Sequence, residues 1–190
     1  NTGAYLSPLK LACKKLSIPL FADEKIGLSE TVLSGFTLSS LRASRSFSTD
    51  EIMKLLKSGL LKISSDDVTY LQQYIYLWGI DGDDWKTDWV KNPFGLKDTQ
   101  KSRIESALSR LNEIRKSIIK PLMIFKGSAE RTAEDWCRAV YNYLSACNVP
   151  DQLLSYVSAL KEEPDELRAQ AAVSSWGALM AVLDNIVTCY

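Results

Sequence analysis

The chain of 190 residues contains no histidine. Histidine is the base of Ser-His-Asp and Cys-His catalytic sets, a common zinc ligand, and part of the H-x-E motif of zinc deaminases. The glycine-rich loops G-x-x-x-x-G-K-[ST] and G-x-G-x-x-G, which hold nucleotide phosphates, are missing too. These absences exclude many enzyme classes. We therefore expect no catalytic and no cofactor-binding residue in the chain.

Cysteine is scarce, and charge of either sign is balanced. The four cysteines form no C-x-x-C pair, and the sequence predicts reduced, buried thiols of a cytoplasmic protein at Cys13, Cys137, Cys147 and Cys189. Lys plus Arg total 23 and Asp plus Glu total 23, so no overall field draws the chain to nucleic acid or to a membrane. Any contact with DNA must come from a local patch.

Long apolar runs and targeting signals are lacking as well. We find no signal peptide and expect no segment long enough to cross a bilayer, hence no membrane partner. The sequence has no initiating Met and opens inside an apparent helix. We therefore expect it to be a piece of a larger protein.

What is present is a strong helical pattern, and the hydrophobic content of 46% suffices for a core. We predict an all-α fold of about seven or eight helices, with at most one short strand near residues 18–22, where Pro19 opposes helix. The predicted core stripes are Val68, Leu71, Ile75 and Trp78; Ile104, Leu108, Leu111, Ile114, Ile118 and Leu122; Ala133, Trp136, Cys137, Val140, Tyr143, Leu144 and Cys147; Leu153, Leu154, Val157 and Leu160; and Ala172, Trp176, Leu179, Met180, Leu183, Ile186 and Val187.

Helix boundaries carry their own signals. Ser48, Thr49 or Asp50 can act as an N-cap, and Ser48 with Glu51 three residues later offers a capping box. Gly59 offers a left-handed end to the same helix, after which Leu60 and Leu61 can enter the core. Thr132 marks another start, and Pro121 should kink or end the long helix.

Residues 80–98 interrupt the helical pattern. Aromatic residues at Trp85, Trp89 and Phe94 either pin this loop to the body of the domain or serve a binding role. The acidic run at residues 81–84 suggests Ca²⁺, but the position that should carry a bidentate Glu is Asn92. We therefore predict no metal site.

Positive charge concentrates along the predicted long helix, where Glu105 and Glu113 offset it only in part. One interpretation is a solvated helix face, and the other is a strip that follows DNA phosphates. The candidate DNA-contacting residues are Lys101, Arg103, Arg110, Arg115, Lys116 and Lys120, with Lys97 and Lys126 at either end.

Several segments, in order along the chain, resemble the B subunit of the bacterial AddAB (RexAB) helicase-nuclease. They are residues 18–25 (Ile-Pro-Leu-Phe-Ala-Asp-Glu-Lys), residues 49–61 (Thr-Asp-Glu-Ile-Met-Lys-Leu-Leu-Lys-Ser-Gly-Leu-Leu), residues 74–85, which contain Gly-Ile-Asp-Gly-Asp-Asp-Trp, residues 131–144 and residues 176–184. One departure is Asp83-Asp84, where relatives often carry a basic residue, so a DNA-facing role of that loop is not expected.

The resemblance implies an accessory domain of a superfamily-1 helicase-like protein. Residues 1–26 would be the edge of the second RecA-like domain, and residues 27–190 a helical accessory (2B-like) domain. It also implies a noncatalytic role in processing DNA double-strand ends, where the chain shapes the DNA path and subunit contacts. ATP, Mg²⁺, an iron-sulfur cluster and the nuclease carboxylates would belong to other parts of the parent protein. The implied partners are the A subunit and, through the parent, DNA.

Two other functions remain open. The chain could be a helical protein-interaction scaffold without DNA contact, in which case the basic residues are merely solvated. An autonomous hydrolase is the weakest hypothesis, because the residues supply no nucleophile with a matching acid and base.

Overall fold

The computed structural model describes residues 3–20, 26–96, 100–127, 131–162 and 166–189. These residues form eight α-helices and no strand, which confirms the predicted all-α fold. Of the candidate strand, residues 18–20 form neither helix nor strand, and residues 21–22 lie outside the described part. The helices are α1 (Gly3–Lys15), α2 (Val32–Ser46), α3 (Thr49–Lys57), α4 (Ser65–Trp78), α5 (Lys101–Leu122), α6 (Ala133–Ala146), α7 (Val149–Glu162) and α8 (Glu166–Cys189).

Three short 3₁₀ turns connect the helices, at Leu28–Glu30, Gly82–Lys86 and Met123–Phe125. The last of them follows α5 directly. As predicted, the helix ends just beyond Pro121, which lacks the N–H that would extend the backbone ladder.

The start of α3 corrects the predicted capping box. Ser48 is the N-cap residue, but its side chain makes no capping bond, and Glu51 accepts a hydrogen bond from Lys54 Nζ at 2.7 Å instead. The Thr49 N–H at the start of the helix donates to Asp81 Oδ1 at 2.7 Å. The carboxylate of Asp81, 32 residues along the chain, thus accepts from an N–H group at the start of α3, a role that the sequence pattern assigned to Ser48 and Glu51.

Other helix ends follow the sequence signals. Gly59 has a φ of 76° after α3, and Gly79 ends α4 with a φ of 61°, both in the left-handed region that favours glycine. The turn at Gly59 lets Leu60 enter the core, where it is fully buried. Thr132 and Asp135 form the capping box that opens α6.

The core lies where α2, α3, α4, α5 and α6 meet. Tyr143 of α6 is one of its largest buried side chains, and its hydroxyl accepts a hydrogen bond from Ser40 at 3.0 Å. The Tyr143 ring stacks on Phe36 with centroids 5.8 Å apart and packs against Phe125 at 4.9 Å. These contacts tie α2 and the turn after α5 to α6.

Three predicted core positions are wrong. Trp136 is 42% exposed, Leu154 is 64% exposed and Val187 is 41% exposed, so each lies at the edge of its helix's buried face. The Trp136 ring is instead covered by the Arg131 guanidinium, whose carbon lies 5.2 Å from the ring centroid. Buried Ala139 takes the inward position on α6 that the sequence stripe gave to Trp136.

The C-terminal helix corrects the expectation about membrane-length segments. Residues 168–189 of α8 are long and apolar enough to cross a membrane, judged by length and composition alone, and only 17% of the most apolar window is buried. The sequence analysis missed this segment because Gln170, Ser174 and Ser175 interrupt its apolar run, although these polar residues add no charge. One side of α8 packs on α2, α6 and α7.

Candidate nucleic-acid interface

Helix α5 carries the six candidate DNA-contacting residues, but they do not form one strip. Arg103 and Arg110 are two turns apart and share one edge of the helix. Lys116 and Lys120 are one turn apart and lie roughly 100° further round the axis by α-helical geometry. The two pairs therefore face different neighbours.

Arg115 is buried, with a side chain that is 3% exposed. Its Nη1 donates to the backbone oxygen of Trp85 at 2.7 Å, its Nε donates to Asn112 Oδ1 at 3.2 Å, and its Nη2 donates to Asp88. Burial lowers the pKa of Arg115, while the charge of Asp88 raises it, and the guanidinium stays protonated. Arg115 thus fastens a loop and is not part of a DNA-facing surface.

Asn112, which the sequence analysis did not single out, fastens the same loop one turn earlier on α5. Its Oδ1 accepts from the Trp89 N–H at 2.8 Å, and its Nδ2 donates to the Trp89 carbonyl oxygen at 2.9 Å. These two hydrogen bonds with the Asn112 side chain hold the backbone of Trp89 in the way that a neighbouring β-strand would. Asn112 and Arg115 together fix the loop to the helix.

The aromatic residues of the loop complete this attachment. Trp89 stacks on Tyr74 with centroids 4.8 Å apart and meets Trp85 edge-on at 5.3 Å. The Trp85 indole N–H donates to Thr49 Oγ1 at 2.9 Å. Trp85 and Trp89 are both buried, so the structure confirms that they pin the loop to the body of the domain. Phe94 is only half-buried.

Arg110 is paired inside the domain. Its Nε and Nη2 donate to Asp67 Oδ1 at 2.9 and 2.6 Å, and its guanidinium carbon lies 5.6 Å from the centroid of the Tyr70 ring. Hydrogen bonds from Ser64, which has the larger effect, and from Arg110 hold the pKa of Asp67 below its ordinary value. Asp67 therefore links the start of α4 to α5, and its own N–H donates to the side chain of Ser64, the N-cap residue of α4.

The other cations of α5 are more exposed. Lys116 lies 3.2 Å from Asp88, and Lys101 lies 3.8 Å from Glu105, both in solvent-exposed pairs. The Arg103 guanidinium lies 4.9 Å from the Phe94 ring centroid. Lys120 is exposed and makes no ion pair with the described residues.

The two flanking lysines have different outcomes. Lys97 lies outside the described residues. Lys126 lies over the buried Phe47 ring at 5.2 Å, and Lys86 lies over the same ring at 5.1 Å. Lys126 and Lys86 both cover the ring of Phe47, so this structural contact already accounts for the position of Lys126.

The acidic run after α4 has structural roles. Asp81 accepts from Thr49, Asp83 pairs with Lys86 at 2.5 Å, and Asp84 completes the capping box of the 3₁₀ turn. Hydrogen bonds, chiefly from the Thr49 N–H, hold the pKa of Asp81 below its ordinary value. Within the ranges that the structure describes, no three His, Cys, Asp or Glu side chains are gathered as metal ligands.

The cysteines are free, and two of the four expected buried thiols are buried. Cys137 and Cys147 lie in the core, and burial raises the pKa of both, that of Cys147 to about 11. Cys13 is half-buried and Cys189 is exposed, which corrects the expectation for these two. The four are spread over α1, α6 with its C-terminal turn, and α8, so they do not fit an iron-sulfur cluster, which needs converging thiolates.

The fold and these contacts define an all-helical module. Its basic helix α5 uses one of its cations, Arg115, to hold the loop that contains Trp85 and Asp88. No protein-family model matches the chain. The chain is similar to curated proteins whose names describe the B subunit of an ATP-dependent helicase/deoxyribonuclease, which confirms the resemblance seen in the sequence motifs. The relative from Ruminiclostridium cellulolyticum is 28% identical over 98% of this chain. Those from Clostridium botulinum and Clostridium tetani are each 26% identical, over 90% and 96% of it.

The chain covers only a small part of these relatives. It spans 15% of the Clostridium botulinum protein and 17% of the other two. Each match takes in at least 90% of this chain.

Proposed function

We propose that the chain is a noncatalytic helical module of the B subunit of an ATP-dependent helicase/deoxyribonuclease. In this role it shapes the path of DNA and the contacts between subunits during processing of double-strand ends. The observation that supports it is similarity to such B subunits over 90% to 98% of the chain. The absence of histidine and of a phosphate loop from the sequence agrees with chemistry located elsewhere in the parent protein.

The proposed DNA contact uses a reduced set of residues. Arg115 is excluded by burial. Arg110 is 59% exposed, but two hydrogen bonds to Asp67 and its contact with the Tyr70 ring hold it in place. Lys101 and Lys116 are held only by exposed ion pairs, which contribute about 0–1 kcal/mol and can be exchanged for a phosphate. Arg103 and Lys120 complete the set. We name these four residues, Lys101, Arg103, Lys116 and Lys120, the α5 cation surface, within which Arg103 lies on a different side of the helix from Lys116 and Lys120.

A scaffold without DNA contact is the second candidate, and a specific observation favours it. Three of the six predicted cations, Arg110, Arg115 and Lys116, pair with Asp67 or Asp88 from other segments. These pairs neutralise charge that DNA would otherwise meet. On this alternative the whole basic helix serves packing and solubility.

Titration with duplex and single-stranded DNA at several salt concentrations separates the two. If the α5 cation surface meets phosphates, binding weakens as salt rises. The double variant Arg103→Gln, Lys120→Gln should then lower the slope of log K against log salt by about 0.9 per lost duplex contact, or about 0.7 per contact with a single strand.

The matched control neutralises two exposed lysines at the end of α3 and just beyond it, Lys57→Gln and Lys62→Gln. It removes the same charge, and its salt slope should stay that of the unchanged chain. If both double variants change the salt slope equally, or if the chain does not bind DNA at low salt, the proposed DNA contact is wrong. The scaffold without DNA contact would then be the remaining candidate.

The remaining parts of the proposal concern the parent protein. We place residues 1–26 at the edge of a RecA-like domain and residues 27–190 in the accessory domain. The exposure of Tyr5, Leu11 and Leu16 on and after α1 supports this division. ATP, Mg²⁺, an iron-sulfur cluster and the contact with an A subunit are proposed for the full-length cytoplasmic protein. Limited proteolysis of the chain should cut between α1 and α2 first, and initial cutting inside α4 or α5 would contradict the division.

A further inference from the structure

Phe94 differs from the other two aromatic residues of its loop. Trp85 and Trp89 are buried, whereas Phe94 is only half-buried. Its backbone N–H donates to Asn92 Oδ1 at 3.0 Å, which fixes its place on the loop. The guanidinium carbon of Arg103 lies 4.9 Å from the Phe94 ring centroid, within the range of a cation–π contact. The Phe94 ring therefore positions the guanidinium of Arg103.

The hydrogen-bond donors of Arg103 are still available. A guanidinium has five N–H groups, and among the described residues none accepts a hydrogen bond from Arg103 or forms an ion pair with it. Arg110, two turns further along α5, is the contrasting case. It lies over the Tyr70 ring at 5.6 Å, but it donates two N–H groups to Asp67. Of these two stacked arginines, Arg103 is the one that can bind an acceptor from outside the chain.

A second cation lies over an aromatic ring beside this pair. Lys91 Nζ is 5.2 Å from the ring centroid of Trp78, which is half-buried at the end of α4. The Trp78 indole N–H donates to the Asn92 carbonyl oxygen at 3.0 Å. Because Asn92 also accepts from the Phe94 N–H, the two cation–aromatic pairs are neighbours. Lys91, too, forms no ion pair within the described ranges.

Exposed apolar side chains lie next to these cations. Leu77 is 47% exposed, and a Cβ atom on Gly95 would lie 3.7 Å from both of its methyl carbons, so Leu77 borders the same part of the loop. Leu96 is fully exposed. Phosphates alone do not cover apolar groups, whereas unpaired bases bring apolar ring faces together with their phosphates. The acidic run at residues 81–84, which argued against a DNA-facing loop, lies at the other end of the loop.

We propose that Trp78, Lys91, Phe94 and Arg103 form a binding site for single-stranded nucleic acid, which we call the loop platform. One base stacks on the outer side of the Arg103 guanidinium, with the Phe94 ring behind it, while the Arg103 N–H groups and the Lys91 ammonium bind flanking phosphates. A duplex does not bind in this way, because the next base pair covers each base face. The inference rests on the proposed function and deepens it by naming the form of nucleic acid that is bound.

The experiment measures binding of the chain to labelled DNA probes of equal length at one salt concentration. The probes are a thymidine single strand, the same strand carrying abasic sites, and a blunt duplex. The abasic strand keeps the phosphates but lacks the bases. Stacking of one base corresponds to about 5- to 150-fold in affinity, so the intact strand should bind at least about fivefold more tightly than the abasic strand. Equal binding of the intact and the abasic strand would overturn the proposal.

Two variants test the stacked pair directly. Arg103→Lys keeps the charge but loses the planar group, so the slope of log K against log salt should stay the same while the preference for the intact strand disappears. Its affinity for the duplex should not change. Phe94→Leu should also reduce the preference, because Arg103 loses the ring that positions it. The matched control, Tyr70→Leu, removes the ring beneath Arg110, whose N–H groups already bind Asp67, and should keep the preference.

Thermal unfolding of each variant separates binding from folding. Arg103 is exposed, so Arg103→Lys should unfold at the same temperature as the unchanged chain. A Phe94→Leu variant that loses stability but keeps the strand preference would assign the ring to holding the loop alone, and would overturn the proposal.

The same titrations distinguish failure of this inference from failure of the proposed function. If the chain binds the strands with the expected salt dependence but without preference for bases, the loop platform is wrong and the DNA contact of the α5 cation surface stands. If no probe binds at low salt, both are wrong.

Discussion

Replacing Arg115 with alanine tests whether this residue fastens the loop or belongs to a DNA-binding surface. The change removes three hydrogen bonds, to the Trp85 carbonyl, to Asn112 and to Asp88. Asp88 is 61% exposed, so water replaces the lost ion pair at a cost of about 0–1 kcal/mol. A carbonyl of the buried Trp85 left without its donor costs about 1–3 kcal/mol. Together these costs predict a loss of about 1–4 kcal/mol in the free energy of unfolding.

Urea unfolding, followed by tryptophan fluorescence and by circular dichroism, measures this loss. Lys116→Ala is the matched control, because Lys116 also faces Asp88 but is 60% exposed, and it should cost no more than about 1 kcal/mol. Arg115→Lys should recover only part of the loss, since an ammonium group cannot copy the planar fork of the guanidinium. An Arg115→Ala variant as stable as Lys116→Ala, but weaker in DNA binding, would refute the reasoning.

Three further predictions concern single residues. Asp81→Ala should cost about 1 kcal/mol in the free energy of unfolding at pH 7, because it frees the Thr49 N–H. Since hydrogen bonds hold the pKa of Asp81 below its ordinary value, the contribution of Asp81 is complete above that ordinary value, and the difference from the unchanged chain should shrink as the pH falls through the lowered pKa. Gly59→Ala should cost about 1–2 kcal/mol in urea unfolding, because a Cβ is unfavourable at a φ of 76°, and a neutral result would contradict the left-handed turn. At pH 8 a thiol reagent should label Cys189 in the folded chain but Cys147 only on unfolding, since burial raises the pKa of Cys147 to about 11; equal labelling rates would place Cys147 outside the core.

The sequence predicted what local spacing controls. The start of α6 follows from Thr132, whose side chain caps a nearby N–H group, and the pinned loop follows from its tryptophans. The Asp81 cap of α3 was missed because donor and acceptor are 32 residues apart, and no local pattern records such a contact.

The error over Arg115 had a readable signal. It lies four residues after Leu111 and three before Ile118, which places it on the buried stripe of α5 at helical spacing. Arg115 was predicted to be a surface cation because it is charged, although its spacing from Leu111 and Ile118 places it on the buried side of α5. The pairing of Arg110 with Asp67 had no such signal, because it depends on how α4 packs against α5.

Helix α8 shows a different limit. Its length and spacing predicted a helix with one buried face, and the structure has that face. The sequence alone could not show which residues of α8 lie on the outer side, because this depends on which side α2, α6 and α7 cover.

Our proposal is that this chain contributes shape and contacts, and no chemistry, to a DNA-processing protein. The most direct measurement incubates the purified chain with duplex DNA, ATP and Mg²⁺ and follows both DNA cleavage and ATP hydrolysis. We predict that neither exceeds the level of a mock purification. Cleavage or hydrolysis that co-elutes with the folded chain, and disappears when urea unfolds it, would contradict the claim.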